Sequence, residues 1–148
     1  MKIAIGSDHW GFELKRQINF LLASTGIEVV DFGTYSHTEC DYPDFAIPVG
    51  RAVATRLADR GILIGATGIG MAIVANKIHS IRAVVAETQF EAEMARQQED
   101  ANVLCLGAGA RELRGILEAW ISVPFESEID GHPSRHARRV QKIAEFET

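Results

Sequence analysis

The chain reads as an α/β protein of three layers, a doubly wound parallel sheet of five strands with helices on both faces. Three observations carry this reading. Short β-branched runs alternate along the whole length with longer segments of helical period. The intervening segments supply the dozen or so residues that a parallel crossover needs. The runs are apolar throughout rather than alternating, as strands buried on both faces are.

Lys2 to Gly6 is the first strand, and Phe12 to Ala23 follows as a helix with Phe12, Ile18, Leu21 and Leu22 near one face. Glu28 to Asp31 is the second strand. The next helix, Phe45 to Leu57, places Ala46, Val49, Val53 and Leu57 together. Gly61 to Ile64 is an apolar strand that runs into the small-residue loop Gly65 to Gly70, and the third helix, Gly68 to Ile78, grows out of that loop. Ile81 to Val85 and Asn102 to Leu106 complete the sheet, with helices from Gln89 to Gln98 and from Ala110 to Ile121. After the loop Pro124 to Pro133, a last helix from Ser134 to Glu145 carries a basic cluster at its start and is free to pack away from its own domain.

The 148 residues fit one domain, 1–148, with no linker and no internal repeat. An apolar fraction of 47% and a charged fraction of 24% are ordinary for a soluble globular protein, and no apolar run approaches the roughly 20 residues that span a bilayer. The start of the chain lacks the apolar core and cleavage site of a secretory signal, so the cytoplasm is the expected compartment and no membrane contact is expected. Cys40 and Cys105 stand far apart without metal-ligand spacing and read as free thiols. A net charge of −5 disfavours nucleic acid as a partner. The basic cluster Arg135-His136-Ala137-Arg138-Arg139 with Lys142 is short enough to pin one small phosphate and too short for a duplex.

In an open α/β sheet the ligand lies beyond the carboxyl ends of the strands, where the winding reverses. That rule selects Ser7 to Gly11, Gly65 to Gly70 and Gly107 to Arg111. The Gly65 to Gly70 loop lacks the dinucleotide and Walker spacings, yet its small residues let an anion approach backbone N–H groups. A phosphate or a developing enolate oxygen is the fitting ligand. The same glycines would also serve close helix–strand packing, and Thr67 a helix N-cap. Asp8 and His9 could handle hydroxyl protons or meet a phosphate; a helix cap and a surface imidazole are the plain alternatives. Tyr42 sits at a helix entry before Pro43 and could pack on a sugar. Arg135 and Arg139, four apart, project from one helix face, either to grip a phosphate or as a solvated basic face.

Taken together the residues resemble the ribose-5-phosphate isomerase type B family and its galactose-6-phosphate isomerase relatives. The resemblance rests on Lys2 to His9 with Gly11 to Lys15, Val30 to Thr34, Asp41 to Ala46, Thr67 to Gly70 with Ala75 to Lys77, Ile81 to Ala83, Asn102 to Leu104, and Arg135 to Val140. It implies a Rossmann-like αβα sandwich paired as a homodimer or a tetramer, with active sites between subunits and the last helix reaching the partner. It also implies interconversion of an aldose phosphate and a ketose phosphate through a cis-enediolate, with no metal and no cofactor. Carried over by position, Asp8 and His9 contact the sugar or its phosphate, Tyr42 lines the pocket, and Ala66, Thr67, Gly68, Ile69 and Gly70 form the anion hole. Thr67 helps move the proton, and Arg135 and Arg139 bind phosphate.

The departures from the family pattern shape the expectation further. The position of the family's catalytic Cys is Gly65, and the variant that places a Glu after the glycine loop finds Met71 and Ala72 instead. The ring-opening His and the Asn after it are replaced by Gln98 and Glu99, and the phosphate-binding Arg after the fifth strand is either lost at Gly109 or shifted to Arg111. A neutral amide cannot open a cyclic sugar near neutral pH. Three readings follow. One is a working isomerase with a relocated base (Asp8, Glu99, Cys40 or Cys105), acting on a pentose phosphate or on a tetrose phosphate that needs no ring opening. The second is a non-catalytic subunit of a hetero-oligomer with a paralogue, and the third is a sugar-phosphate sensor.

Overall fold

The computed structural model describes residues 1–147. β1 (Lys2–Ser7), β2 (Glu28–Asp31), β3 (Arg60–Gly65), β4 (Ala83–Val85) and β5 (Val103–Gly107) pair in parallel in the order β2-β1-β3-β5-β4. One face of the sheet is covered by α1 (Phe12–Ala23), α4 (Gln89–Glu99) and α5 (Leu113–Ser122), the other by α2 (Pro43–Ala54) and α3 (Ile69–Ala75). The pleat divides each central strand between two cores. Ile3, Ile5, Ile62, Ile64, Leu104 and Leu106 pack with Trp120 toward α1, α4 and α5, whereas Ala4, Leu63, Val103 and Cys105 pack toward α2 and α3. The expected three-layer α/β architecture is the one observed.

The chain leaves β1 for β2 on one side and returns past β1 to β3 on the other, so the winding reverses between β1 and β3. Their carboxyl ends therefore open the crevice in which such sheets bind ligands.

A buried cation fixes the loop that follows β2. Lys15 on α1 is 1% exposed, and its Nζ donates to Asp31 Oδ1 and to the Thr34 carbonyl, each at 2.6 Å. Asp31 also accepts from Asn19 Nδ2 (3.0 Å) and from the Gly33 N–H (2.8 Å). Gly33 and Thr34 in turn exchange backbone hydrogen bonds of 2.7 Å with Ser7 at the end of β1. The segment that leads to Cys40 and Tyr42 is thus anchored to β1 before it reaches the crevice.

Several boundaries differ from the sequence reading. The second helix starts at Pro43, whose fixed φ suits the first turn, and ends at Ala54, which leaves Leu57 outside it and 56% exposed. α3 stops at Ala75, where the Asn76 side chain turns away to exchange hydrogen bonds with the Ala83 backbone at 2.9 and 2.7 Å. β4 keeps only three residues. The loop before the last helix contains an unforeseen hairpin, β6 (Glu128–Ile129) with β7 (His132–Pro133). Its turn is Asp130-Gly131 with φ of 52° and 77°, the left-handed pair that Asp-Gly favours.

α6 (Arg135–Phe146) begins where Ser134 Oγ accepts the Ala137 N–H at 3.0 Å. It lies beside α4 of its own chain. His136, 3% exposed, sets its Nε2 3.2 Å from Glu126, and Glu147 accepts from the Ser80 N–H at 3.0 Å. Among the described residues no helix is long and apolar enough to cross a membrane.

Candidate active site

A cavity of about 270 Å³ lies at the reversal point. Three loops build it: Asp8, His9 and Trp10 after β1; Cys40, Asp41 and Tyr42 before α2; and Gly65 to Gly68, Gly70 and Met71 after β3.

Asp8 is 5% exposed and its Oδ1 accepts the N–H groups of Trp10 (3.0 Å) and Gly11 (3.1 Å). These bonds close the turn between β1 and α1; they do not cap the helix, whose N-cap is Gly11 without a side-chain bond, so the plain helix-cap alternative for Asp8 is not observed, and the turn occupies one carboxylate oxygen. No hydrogen bond within the described residues reaches Oδ2. Gly11 makes the turn fit: a Cβ there would stand 2.4 Å from the Ile64 carbonyl oxygen, so the β1–α1 loop presses directly on the end of β3.

His9 Nδ1 accepts the Cys40 N–H at 3.2 Å, with Cys40 Sγ 3.8 Å away. An N–H donated to Nδ1 needs the lone pair there, so the neutral ring carries its proton on Nε2. This bond also ties the loop before α2 to the loop after β1. Tyr42, the residue before the first turn of α2, lays its ring over the glycine loop. A Cβ on Gly70 would lie 2.8 Å from Tyr42 Cζ, which explains the glycine at that position.

In the third loop Gly68 has φ +79°, and a Cβ on it would meet the Leu106 carbonyl carbon at 2.9 Å. Only glycine fits both the left-handed backbone and the contact with β5. Thr67 Oγ1 accepts the Ile69 N–H at 3.2 Å in a turn before the helix, whose N-cap is Gly68, so the N-cap role weighed for Thr67 is not the one observed. The N–H groups of Thr67 and Gly68 donate to no acceptor among the described residues. Unpaired donors on a rigid loop suit an anion. Gly65 leaves room beside them: a Cβ there would meet Met71 Cγ at 3.4 Å and Asp8 Oδ2 at 3.6 Å, both ordinary contacts.

Other residues singled out from the sequence lie elsewhere in the chain. Ile69 points outward, 57% exposed, beside the cavity. Gln98 and Glu99 end α4, which runs from the crevice edge of the sheet back to the opposite edge before β5. Gln98 Nε2 lies 3.3 Å from Met94 Sδ. Arg111 borders a separate depression with Gln17, Leu21 and Gln89. Arg135 and Arg139 are exposed on α6 and do not line the cavity. The residues therefore fall into two groups within one chain, one around Asp8 and Gly68 and one carried by α4 and α6, with Arg111 before α5 apart from both. Trp10, Asp41 and Met71 line the cavity without having been assigned to it. The only sequence signal for them was their place next to Asp8, Tyr42 and Gly70.

The two thiols also separate. Cys105 is fully buried in the core toward α2 and α3, where loss of solvent pushes its thiol far above the ordinary range. It is thereby removed as a candidate base near neutral pH. Cys40 is half-buried at the cavity. Iodoacetamide at pH 8 should therefore alkylate one cysteine, Cys40, in the folded protein and both in denaturant, as read by intact mass. Rapid double labelling of the folded protein would contradict this placement.

The geometry has counterparts among known proteins. A model of the ribose/galactose isomerase family matches residues 3–143. The chain is 42% identical to a ribose-5-phosphate isomerase B of Escherichia coli (strain K12), over 99% of this chain and 96% of that one. It is 36% identical to a D-erythrulose-4-phosphate isomerase of Pectobacterium atrosepticum, over 99% and 95% of the two chains. The solved ribose-5-phosphate isomerase B of Clostridium thermocellum superposes with a TM-score of 0.91 at 45% identity, covering 99% of this chain and 97% of that one. With a family model matching nearly the whole chain and relatives this similar over nearly their full lengths, the chain belongs to the ribose/galactose isomerase family.

Proposed function

We propose that the protein interconverts an aldose phosphate and a ketose phosphate through a cis-enediolate, with 1–148 acting as one domain. The observation that carries this reading is the buried Asp8 carboxylate with a free oxygen in the same cavity as the unpaired N–H groups of Thr67 and Gly68. Such donors stabilise an enediolate oxygen as charge develops on it. The reaction moves one proton between C1 and C2 and leaves the overall oxidation state unchanged, so it calls for no redox cofactor. Tyr42 forms the wall against the sugar, His9 Nε2 donates toward a substrate oxygen, and the Thr67 hydroxyl assists proton movement between O1 and O2.

In this reading the second group of residues completes the site from another copy of the chain. Arg135 and Arg139 are exposed, four apart, and outside their own cavity. Presented to a neighbour's crevice they supply the phosphate grip that the first group lacks. Glu99 and Arg111 would border that shared site. A homodimer, or a tetramer of two such pairs, follows. Phosphorylated sugars do not cross membranes unaided, which supports a cytoplasmic location.

The substrate is a pentose or a tetrose phosphate. Ribose 5-phosphate is the substrate named for the Escherichia coli relative and erythrulose 4-phosphate for the Pectobacterium relative. Gln98 favours the shorter sugar, because an amide cannot supply the acid or base that opens a furanose. A tetrose carrying its phosphate on the terminal oxygen has no such ring to open. Following each sugar by ¹³C NMR with purified protein tests the reading. Conversion of erythrulose 4-phosphate faster than of ribose 5-phosphate is expected. Binding without conversion of either would instead assign a non-catalytic subunit or a sensor.

A further inference from the structure

We infer that Asp8, through Oδ2, is the base that carries the proton between C1 and C2; this rests on the isomerase reading above and names the group that performs its central step. Within one chain the cavity offers five side chains with ionisable atoms, Asp8, His9, Cys40, Asp41 and Tyr42; Glu99, at the far edge of its own sheet, reaches the site only at its border and from another copy. His9 has its Nδ1 lone pair taken by the Cys40 N–H at 3.2 Å, and its other nitrogen bears the proton, so it is a donor. Cys40 carries its Sγ 3.8 Å from that same occupied nitrogen, which leaves the thiol without a free base to ionise it. Asp41 is exposed and solvated, and Tyr42 presents a phenol, a donor near neutral pH.

Asp8 differs from all four. It is 5% exposed, and two backbone N–H groups lock Oδ1 and so fix the direction of the carboxylate. Oδ2 is unpartnered and lies 3.6 Å from the point that a Cβ on Gly65 would occupy; the Gly68 nitrogen lies 3.9 Å from that point. The absence of a side chain at Gly65 thus leaves one small space flanked by a fixed carboxylate oxygen and an unpaired N–H. A base on one side and an oxyanion donor on the other is the arrangement that proton abstraction beside a carbonyl requires.

The step balances without a further reactant. Oδ2 takes the C2 proton of the aldose, the C–H electron pair becomes the C1–C2 double bond, and the carbonyl pair moves onto O1. The O2 proton then passes to O1, the carbonyl re-forms at C2, and Asp8 returns its proton to C1.

Asp8→Asn is the discriminating variant, because the amide oxygen can still accept from Trp10 and Gly11 while the base is lost. Conversion of the sugar phosphate should fall at least 1,000-fold, on the order of what a positioned general base supplies, with sugar-phosphate affinity by calorimetry changed less than about threefold. Deuterium exchange at the carbon next to the carbonyl should be lost in the same variant while the sugar phosphate stays bound. Retained conversion or exchange in Asp8→Asn overturns the assignment and leaves the isomerase reading standing. Absence of conversion by the wild-type protein overturns that reading, and this inference with it.

Discussion

Replacing Arg135 and Arg139 together with alanine is expected to weaken sugar-phosphate binding about 1,000-fold, since each charge-assisted contact to a phosphate is worth about 2 kcal/mol. Both side chains are exposed, so the urea midpoint should stay where it is. The decisive form of this experiment mixes the Arg135→Ala/Arg139→Ala protein with Asp8→Asn. Neither is active alone. In a mixed dimer with sites shared between chains, one site receives both defects and the other receives neither. Random reassortment at equal amounts should then restore about one quarter of wild-type activity, because half of the dimers are mixed and each has one intact site. No recovery after reassortment would contradict a site shared between chains.

Asp31→Ala is expected to destabilise the fold by about 3–5 kcal/mol, because it leaves the buried Lys15 ammonium without a counter-charge. The Thr34 carbonyl would remain as an acceptor at 2.6 Å, which is too little for a cation that is 1% exposed. The same change removes the acceptor for Gly33 N–H and Asn19, so the loop that carries Cys40 and Tyr42 loses its anchor to β1. Denaturant unfolding should show a lower midpoint, and KM for the sugar phosphate should rise. A loss below about 1 kcal/mol would show that the cation is solvated rather than buried, the range of an exposed pair.

The sheet was legible because its strands are apolar on both faces and short, and each falls between segments of unmistakable helical period. The reversal rule then pointed to two of the three loops that form the cavity, those after β1 and β3. The third crevice-edge segment, Gly107 to Arg111, does not line it. Gly107 instead packs against the glycine loop, where a Cβ would stand 3.3 Å from the Ala66 carbonyl oxygen. The hairpin was missed although Asp130-Gly131 announces its turn, because strands of two residues carry no periodicity to read.

The split of the candidate residues was harder to see. Gln98 and Glu99 stand at the end of a helix that crosses back under the sheet, so they lie at the far edge from Asp8 in their own chain. The alternation of parallel strands dictates that position, but the resemblance by itself does not say which copy supplies which residue. The two cysteines make the same point at a smaller scale. Both are candidate thiols in the sequence, Cys105 equally a small buried hydrophobe at the end of its strand, and its burial decides for the hydrophobe. Asp8 closes the turn before α1 with one oxygen and leaves the other free, a division that the sequence does not show.

The central claim is that the cavity forms an enediolate, and the most direct measurement is deuterium uptake at carbon. Purified protein is incubated in D₂O with erythrulose 4-phosphate and, separately, with ribose 5-phosphate, and the C1 and C2 proton signals are followed by NMR. Loss of the C–H signal next to the carbonyl, with the sugar phosphate otherwise intact and no exchange in the absence of protein, is the expected result. Retention of that signal under conditions where calorimetry shows the sugar phosphate bound would contradict enediolate chemistry at this site.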